Sequence, residues 1–120
     1  MRSHRRTAHR GSQLPPGLHV RWLPRVGRLR IRLVNGEVVR QTVDVVKLRF
    51  TMGGHDLVYP DIVPRGEIWL DVNMSLRDRA ATLAHELHER ELMARGLTYV
   101  KAHTSATALE SRLRQRRRAS

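Results

Sequence analysis

Residues 85–91 read His-Glu-Leu-His-Glu-Arg-Glu. Side chains four positions apart on a helix share one face, with Cβ atoms about 5–6 Å apart. His85 and Glu89 are therefore spaced to hold one ion between an imidazole nitrogen and a carboxylate oxygen. Glu86 follows His85 as the glutamate does in H-E-x-x-H helices, where it acts as general base on water and is not itself a ligand. A third protein ligand is needed, and His103 supplies it. A tight turn near Leu97 returns a second helix antiparallel to the first, which sets His103 within a turn of Glu89. Ala102 and Ala106 are small enough to let the two helices approach. The expected ligand set is His85, Glu89 and His103 with Glu86 as base, and the expected cofactor is zinc or another divalent metal that accepts nitrogen and oxygen. The chain has no cysteine, which excludes disulfides, a thiolate nucleophile and thiolate-bound metal.

The other histidines read differently. His88 lies off the His85 face; it reads as a surface residue, able to replace a ligand only if the helix rotates. His55, after Gly53-Gly54, reads as a loop residue, and His4, His9 and His19 as solvated groups in or beside an N-terminal arm. Trp69 and Tyr99 read as core or hairpin contacts, because aromatic residues are scarce in this chain and a small core needs them.

Those ligands must be carried by two helices. Ser75, with Asp78 three positions on, is a capping box for the first, whose apolar stripe is expected at Leu76, Ala80, Leu83, Ala84 and Leu87 and whose stop is Gly96. Thr98 caps the second, with Ala102, Ala106, Leu109 and Leu113 as its buried stripe. Before the helices the period is two. Leu29, Ile31 and Leu33 alternate with Arg28, Arg30 and Arg32, and Asn35-Gly36 between this run and Val38, Val43 and Val45 predicts a two-residue hairpin turn. Residues 19–23 read as a strand ahead of it, residues 46–51 as an extension, and residues 67–72 as a short strand with charged ends, reached through a connection bracketed by Pro60 and Pro64. The resulting fold class is α+β: a small antiparallel sheet with a C-terminal helical hairpin packed on one face. The organisation is a basic arm over residues 1–17, expected to be disordered, one domain over 18–113 and a basic tail over 114–120.

The formal charge of +12 is concentrated at the ends. Residues 1–10 hold four arginines and 111–120 hold five, with no acid in either stretch, leaving 14 Lys+Arg against 11 Asp+Glu in between. Basic tails of this kind hold phosphates without reading sequence. Non-specific nucleic acid is thus a candidate partner of the tails, beside a peptide or protein substrate for the helix site. No apolar run approaches the roughly 20 residues that span a bilayer, and no secretory signal is apparent, so a cytoplasmic protein is expected.

Residues 59–106 resemble a group of small uncharacterised zincin-like proteins of phage, bacteria and archaea that share Y-P-x-I, E-I-W-I and H-E-x-x-E-R-x-L-M-x-x-G-x-x-Y-x-x-A-H. The matching residues are Tyr59-Pro60, Ile62, Glu67-Ile68-Trp69-Leu70, His85-Glu86, Glu89-Arg90, Leu92-Met93, Gly96, Tyr99 and Ala102-His103. The group is similar to the metal-binding helix of zinc metallopeptidases. That resemblance implies His85, Glu89 and His103 as ligands, Glu86 as base, and metal-assisted hydrolysis of a peptide bond. The alternatives are a non-catalytic, metal-stabilised module and a basic accessory or structural protein that binds nucleic acid through its arginine tails.

Overall fold

The computed structural model describes residues 14–42 and 52–119. Within them, four strands and three helices follow in chain order: β1 (His19–Val26), β2 (Leu29–Val34), α1 (Gly36–Thr42), β3 (Gly53–His55), β4 (Glu67–Asp71), α2 (Leu76–Ala94) and α3 (Tyr99–Ala119). The α+β class and the C-terminal helical hairpin are as the sequence predicts. The sheet has the order β1-β2-β4-β3 and is mixed: β1 with β2 and β3 with β4 are antiparallel, while β2 and β4 run parallel.

The hairpin lies earlier in the chain than Asn35-Gly36. It joins β1 to β2 through Gly27, whose φ of 59° is the left-handed conformation that glycine adopts without strain. Asn35 instead begins α1, its Oδ1 accepting the Glu37 N–H at 3.0 Å as an N-cap does. Gly36 has no positive φ and is glycine for another reason: a Cβ there would overlap the Asp71 carboxylate, which accepts the Gly36 N–H. Val38 and Val39 therefore belong to a helix, and Val39 joins Leu18, Val34, Val63 and Trp69 in the core on one face of the sheet. Leu14, where the described chain begins, packs against the same cluster. Val43, Val45 and the expected strand over 46–51 lie outside the described residues.

Ile31, Leu33, Ile68 and Leu70 form the core of the opposite face, with Val72, Met74, Leu83 and Leu87 packed on it from the α2 side. Ser75 caps α2, its hydroxyl accepting the Asp78 N–H at 3.1 Å. Of the expected stripe, Leu83 and Leu87 pack on the sheet and Leu76 and Ala80 are exposed. Leu76 is 73% exposed, and the buried residues are Ala81, Thr82, His85, Glu86 and Glu89. Burial of three ionisable groups in a helix that has leucines to offer breaks the local pattern, as functional sites do. Gly96, at φ 106°, ends the turn to α3, where Thr98 accepts the Lys101 N–H through its hydroxyl. The helix continues past Leu113, and Arg114 reaches back to Asp78 on α2. Among the described residues, no helix is long and apolar enough to cross a membrane.

Candidate metal centre

Glu89 is the centre of the site. Its side chain is buried, and three imidazoles reach its carboxylate: His55 Nε2 lies 2.8 Å from Oε1, while His85 Nε2 and His103 Nδ1 lie 3.3 and 2.6 Å from Oε2. The spacing of four on α2 puts His85 and Glu89 on one face, as the sequence predicts. His103 comes from α3, which lies close because Ala102 and Ala106 are fully buried between the helices. The His85 and His103 rings meet edge to face with centroids 5.0 Å apart. One ligand atom each from His85, Glu89 and His103 falls within 4.8 Å of the others, as does one each from His55, Glu86 and Glu89.

His85, Glu86, Glu89 and His103 line a cavity of about 280 Å³, together with Glu110, Tyr99, Gly53 and Gly54, while His55 lies behind Glu89 outside the lining. Among the described residues, no lysine or arginine lines it. Arg90 is committed to Asp56, and Arg114 to Asp78 and Glu110. A polar cavity whose described walls carry three carboxyls and two imidazoles, and no cationic side chain, is suited to a cation held by nitrogen and oxygen. On the other side of its ring, the buried Nδ1 of His85 lies 3.0 Å from Glu110 Oε1 but makes no hydrogen bond among the described residues.

The titration of these groups follows from burial and neighbours. Burial opposes charge on Glu89, but hydrogen bonds from His55, His85 and His103 outweigh it and hold the carboxyl far below the usual range. Glu86 receives no such help. Burial, and then the negative charge of Glu89, push it up to about 8. His85 is raised above its ordinary value although burial acts against it, because the hydrogen bond to Glu89 and the charges of Glu86, Glu89 and Glu110 favour the imidazolium.

The structure thus brings together all four residues expected from the sequence and adds two. His55 is no loop residue: it ends β3, opposite Ile68, fully buried and directed at α2. The Gly53-Gly54 pair ahead of it was the available signal, since a Cβ on Gly53 would stand 2.9 Å from the Trp69 carbonyl oxygen and 3.1 Å from Thr82 Cγ2, so that only glycine lets β3 come this close. Glu110 lies seven residues after His103, two turns along the same face of α3, and its Oε2 accepts two hydrogen bonds from Arg114. His88 is half-buried, and its Nε2 lies 2.8 Å from Ser105 Oγ, tying α2 to α3 outside the cavity. Trp69 is core, with its Nε1 donating to Glu67. Tyr99 is 43% exposed at the rim of the cavity and stacked on His103 at 5.2 Å, outside the core. Comparison with family models, with curated proteins and with solved structures gives no match for this chain.

Proposed function

We propose that this is a zincin-like metal-binding protein, a zinc-dependent hydrolase acting on peptide bonds. The observation that carries the reading is the convergence of His85, Glu89 and His103 on one point of a cavity whose wall is the buried carboxyl of Glu86. Two imidazoles and a carboxylate are the donor set of a zinc site that keeps a position open for water, and they would hold the ion here. Such an ion, when bound, lowers the pKa of water toward 7, polarises a carbonyl and by its charge draws the Glu86 carboxyl back to the range in which it works as a base.

The remaining work belongs to the side chains. Glu86 stands one residue round the helix from His85, in the cavity wall, placed to take the proton of an attacking water and pass it to the leaving amine. Glu110, anchored by Arg114, sets a carboxylate 3.0 Å from the far nitrogen of the His85 ring, where its charge favours the protonated imidazole. Tyr99 stacks on His103 and screens one side of it from solvent.

Elemental analysis of purified protein is expected to find about one zinc per chain, lost on His85→Ala or His103→Ala. Glu86→Gln keeps the metal and lowers cleavage of a peptide library about 10²- to 10⁴-fold, the usual share of a general base. Full activity in Glu86→Gln, or zinc bound with no cleavage by the wild type, replaces the hydrolase with a metal that only locks the helical hairpin.

A further inference from the structure

His55 is the one imidazole at the centre whose protonation pattern is fixed by the backbone. The Leu57 N–H donates to His55 Nδ1 over 3.2 Å, so Nδ1 carries a lone pair and no hydrogen. A neutral imidazole then bears its hydrogen on Nε2, and Nε2 is 2.8 Å from Glu89 Oε1. The hydrogen bond therefore runs from His55 to Glu89. Ligation of a metal through Nε2 would require the hydrogen to move to Nδ1, where it would oppose the Leu57 N–H. The group His55, Glu86 and Glu89, compact as it is, is thereby excluded as a second metal site.

The ring is also held from behind. Its carbonyl accepts the Val58 and Tyr59 N–H groups, and Asp56, the next residue, is gripped by Arg90 and by the Gly66 N–H. His55 is fully buried and has no room to turn away. The two oxygens of Glu89 are thus divided, with Oε1 accepting from His55 and Oε2 facing His85 and His103.

We propose that His55 is a positioning residue which occupies Glu89 Oε1 and so makes Glu89 a one-oxygen ligand, through Oε2, of a divalent metal shared with His85 and His103. This rests on the metal-site reading above. It adds that the protein supplies three donor atoms, leaving room for water, and that the site disfavours ions such as calcium that take both oxygens of a carboxylate. Neighbours that orient a ligating group by hydrogen bonds commonly contribute 10- to 100-fold in metal affinity.

Zinc affinity, measured by competition with a chelator, is expected to fall about 10- to 100-fold in His55→Leu and to be largely recovered in His55→Gln, whose amide N–H reaches the same place. Zinc-edge X-ray absorption should show more oxygen around the metal in His55→Leu than in the wild type, as Oε1 swings inward. Long-range proton–nitrogen NMR of the wild type, metal-free and zinc-loaded, should find His55 protonated on Nε2 in both states and bound to metal in neither. Wild-type affinity and an unchanged absorption spectrum in His55→Leu overturn the proposal, and so does a His55 nitrogen bound to zinc. If the leucine variant does not fold, the wild-type NMR decides. The metal-site reading fails separately, through absence of zinc in the wild type or its retention in His85→Ala. Loss of zinc in His85→Ala with no effect of His55→Leu removes only the role of His55.

Discussion

Arg90 grips Asp56 at two points, Nε to Oδ1 at 2.6 Å and an η-nitrogen to Oδ2 at 2.9 Å, and each partner is the chain neighbour of a residue at the centre, Glu89 on α2 and His55 on β3. The pair thus fixes the end of β3 to the helix that carries two expected ligands. Burial raises the Asp56 carboxyl, but the hydrogen bond from Arg90 and that from Gly66 outweigh it and keep it below its ordinary value. Arg90→Met leaves a largely buried carboxylate without its cation and is expected to cost about 1–3 kcal/mol. Zinc affinity should fall with it. Urea unfolding and chelator titration of the variant check both, and a stable variant with wild-type affinity would show that the clamp positions nothing.

Zinc should stabilise the folded state by mass action, since the ligands converge only there. Free zinc at about 100 times its dissociation constant adds about 2.7 kcal/mol. The corresponding rise in melting temperature is expected in the wild type and in Glu86→Gln, and not in His103→Ala. Calorimetry with and without a chelator measures it; an equal rise in His103→Ala removes that histidine from the ligand set.

In the metal-free protein the pH dependence of stability has a definite sign. Glu86 titrates at about 8 when folded, against an ordinary 4.5, so between these values the folded state holds a proton that the unfolded chain has released, and stability falls as pH rises. His85 acts in the same direction: its contribution is complete below 6.5 and is lost as pH passes its raised folded value. Glu89 is opposite, contributing above its unfolded value and losing that contribution only in strong acid. Denaturant unfolding of the metal-free wild type should therefore weaken from pH 5 to 8.5, with a shallower slope in Glu86→Gln. A wild-type stability that climbs over this window contradicts the arrangement.

Gly53→Ala tests how tightly β3 is seated. The new Cβ meets a backbone oxygen of β4 and the Thr82 side chain of α2, neither of which can yield cheaply, so a loss of about 1–3 kcal/mol is expected. His55 lies two residues on, and zinc binding should weaken together with stability. Unchanged affinity in a destabilised variant would separate the strand from the site.

The centre was legible in the sequence where it is helical. His85, Glu86, Glu89 and His103 lie on two helices joined by a capped turn, and a period of 3.6 fixes which side chains meet. His55 escaped because its partner is 34 residues away and a three-residue strand has no periodicity to detect. The Asn35-Gly36 pair misled because glycine has two uses, and here the missing Cβ matters while the freedom of φ does not. Parallel pairing of β2 with β4 likewise has no signature in either strand, since the alternation of β2 marks its two faces but not the direction of the strand beside it. The apolar stripe predicted for α2 holds at Leu83 and Leu87, which pack on the sheet, and fails at Leu76 and Ala80, while the neighbouring face buries His85, Glu86 and Glu89.

His103 lies between Ala102 and Ala106 in sequence, and both alanines are fully buried on the helix that packs against α2. The gap between His103 and Glu89 is consequently governed by helix thickness, in the manner of a caliper whose setting is two alanines. A valine or leucine at either position would open the jaws without altering any group that faces the cavity, and would favour an ion of larger radius over a smaller one. If a metal binds as proposed, its preferred size is set in part at positions that never touch it.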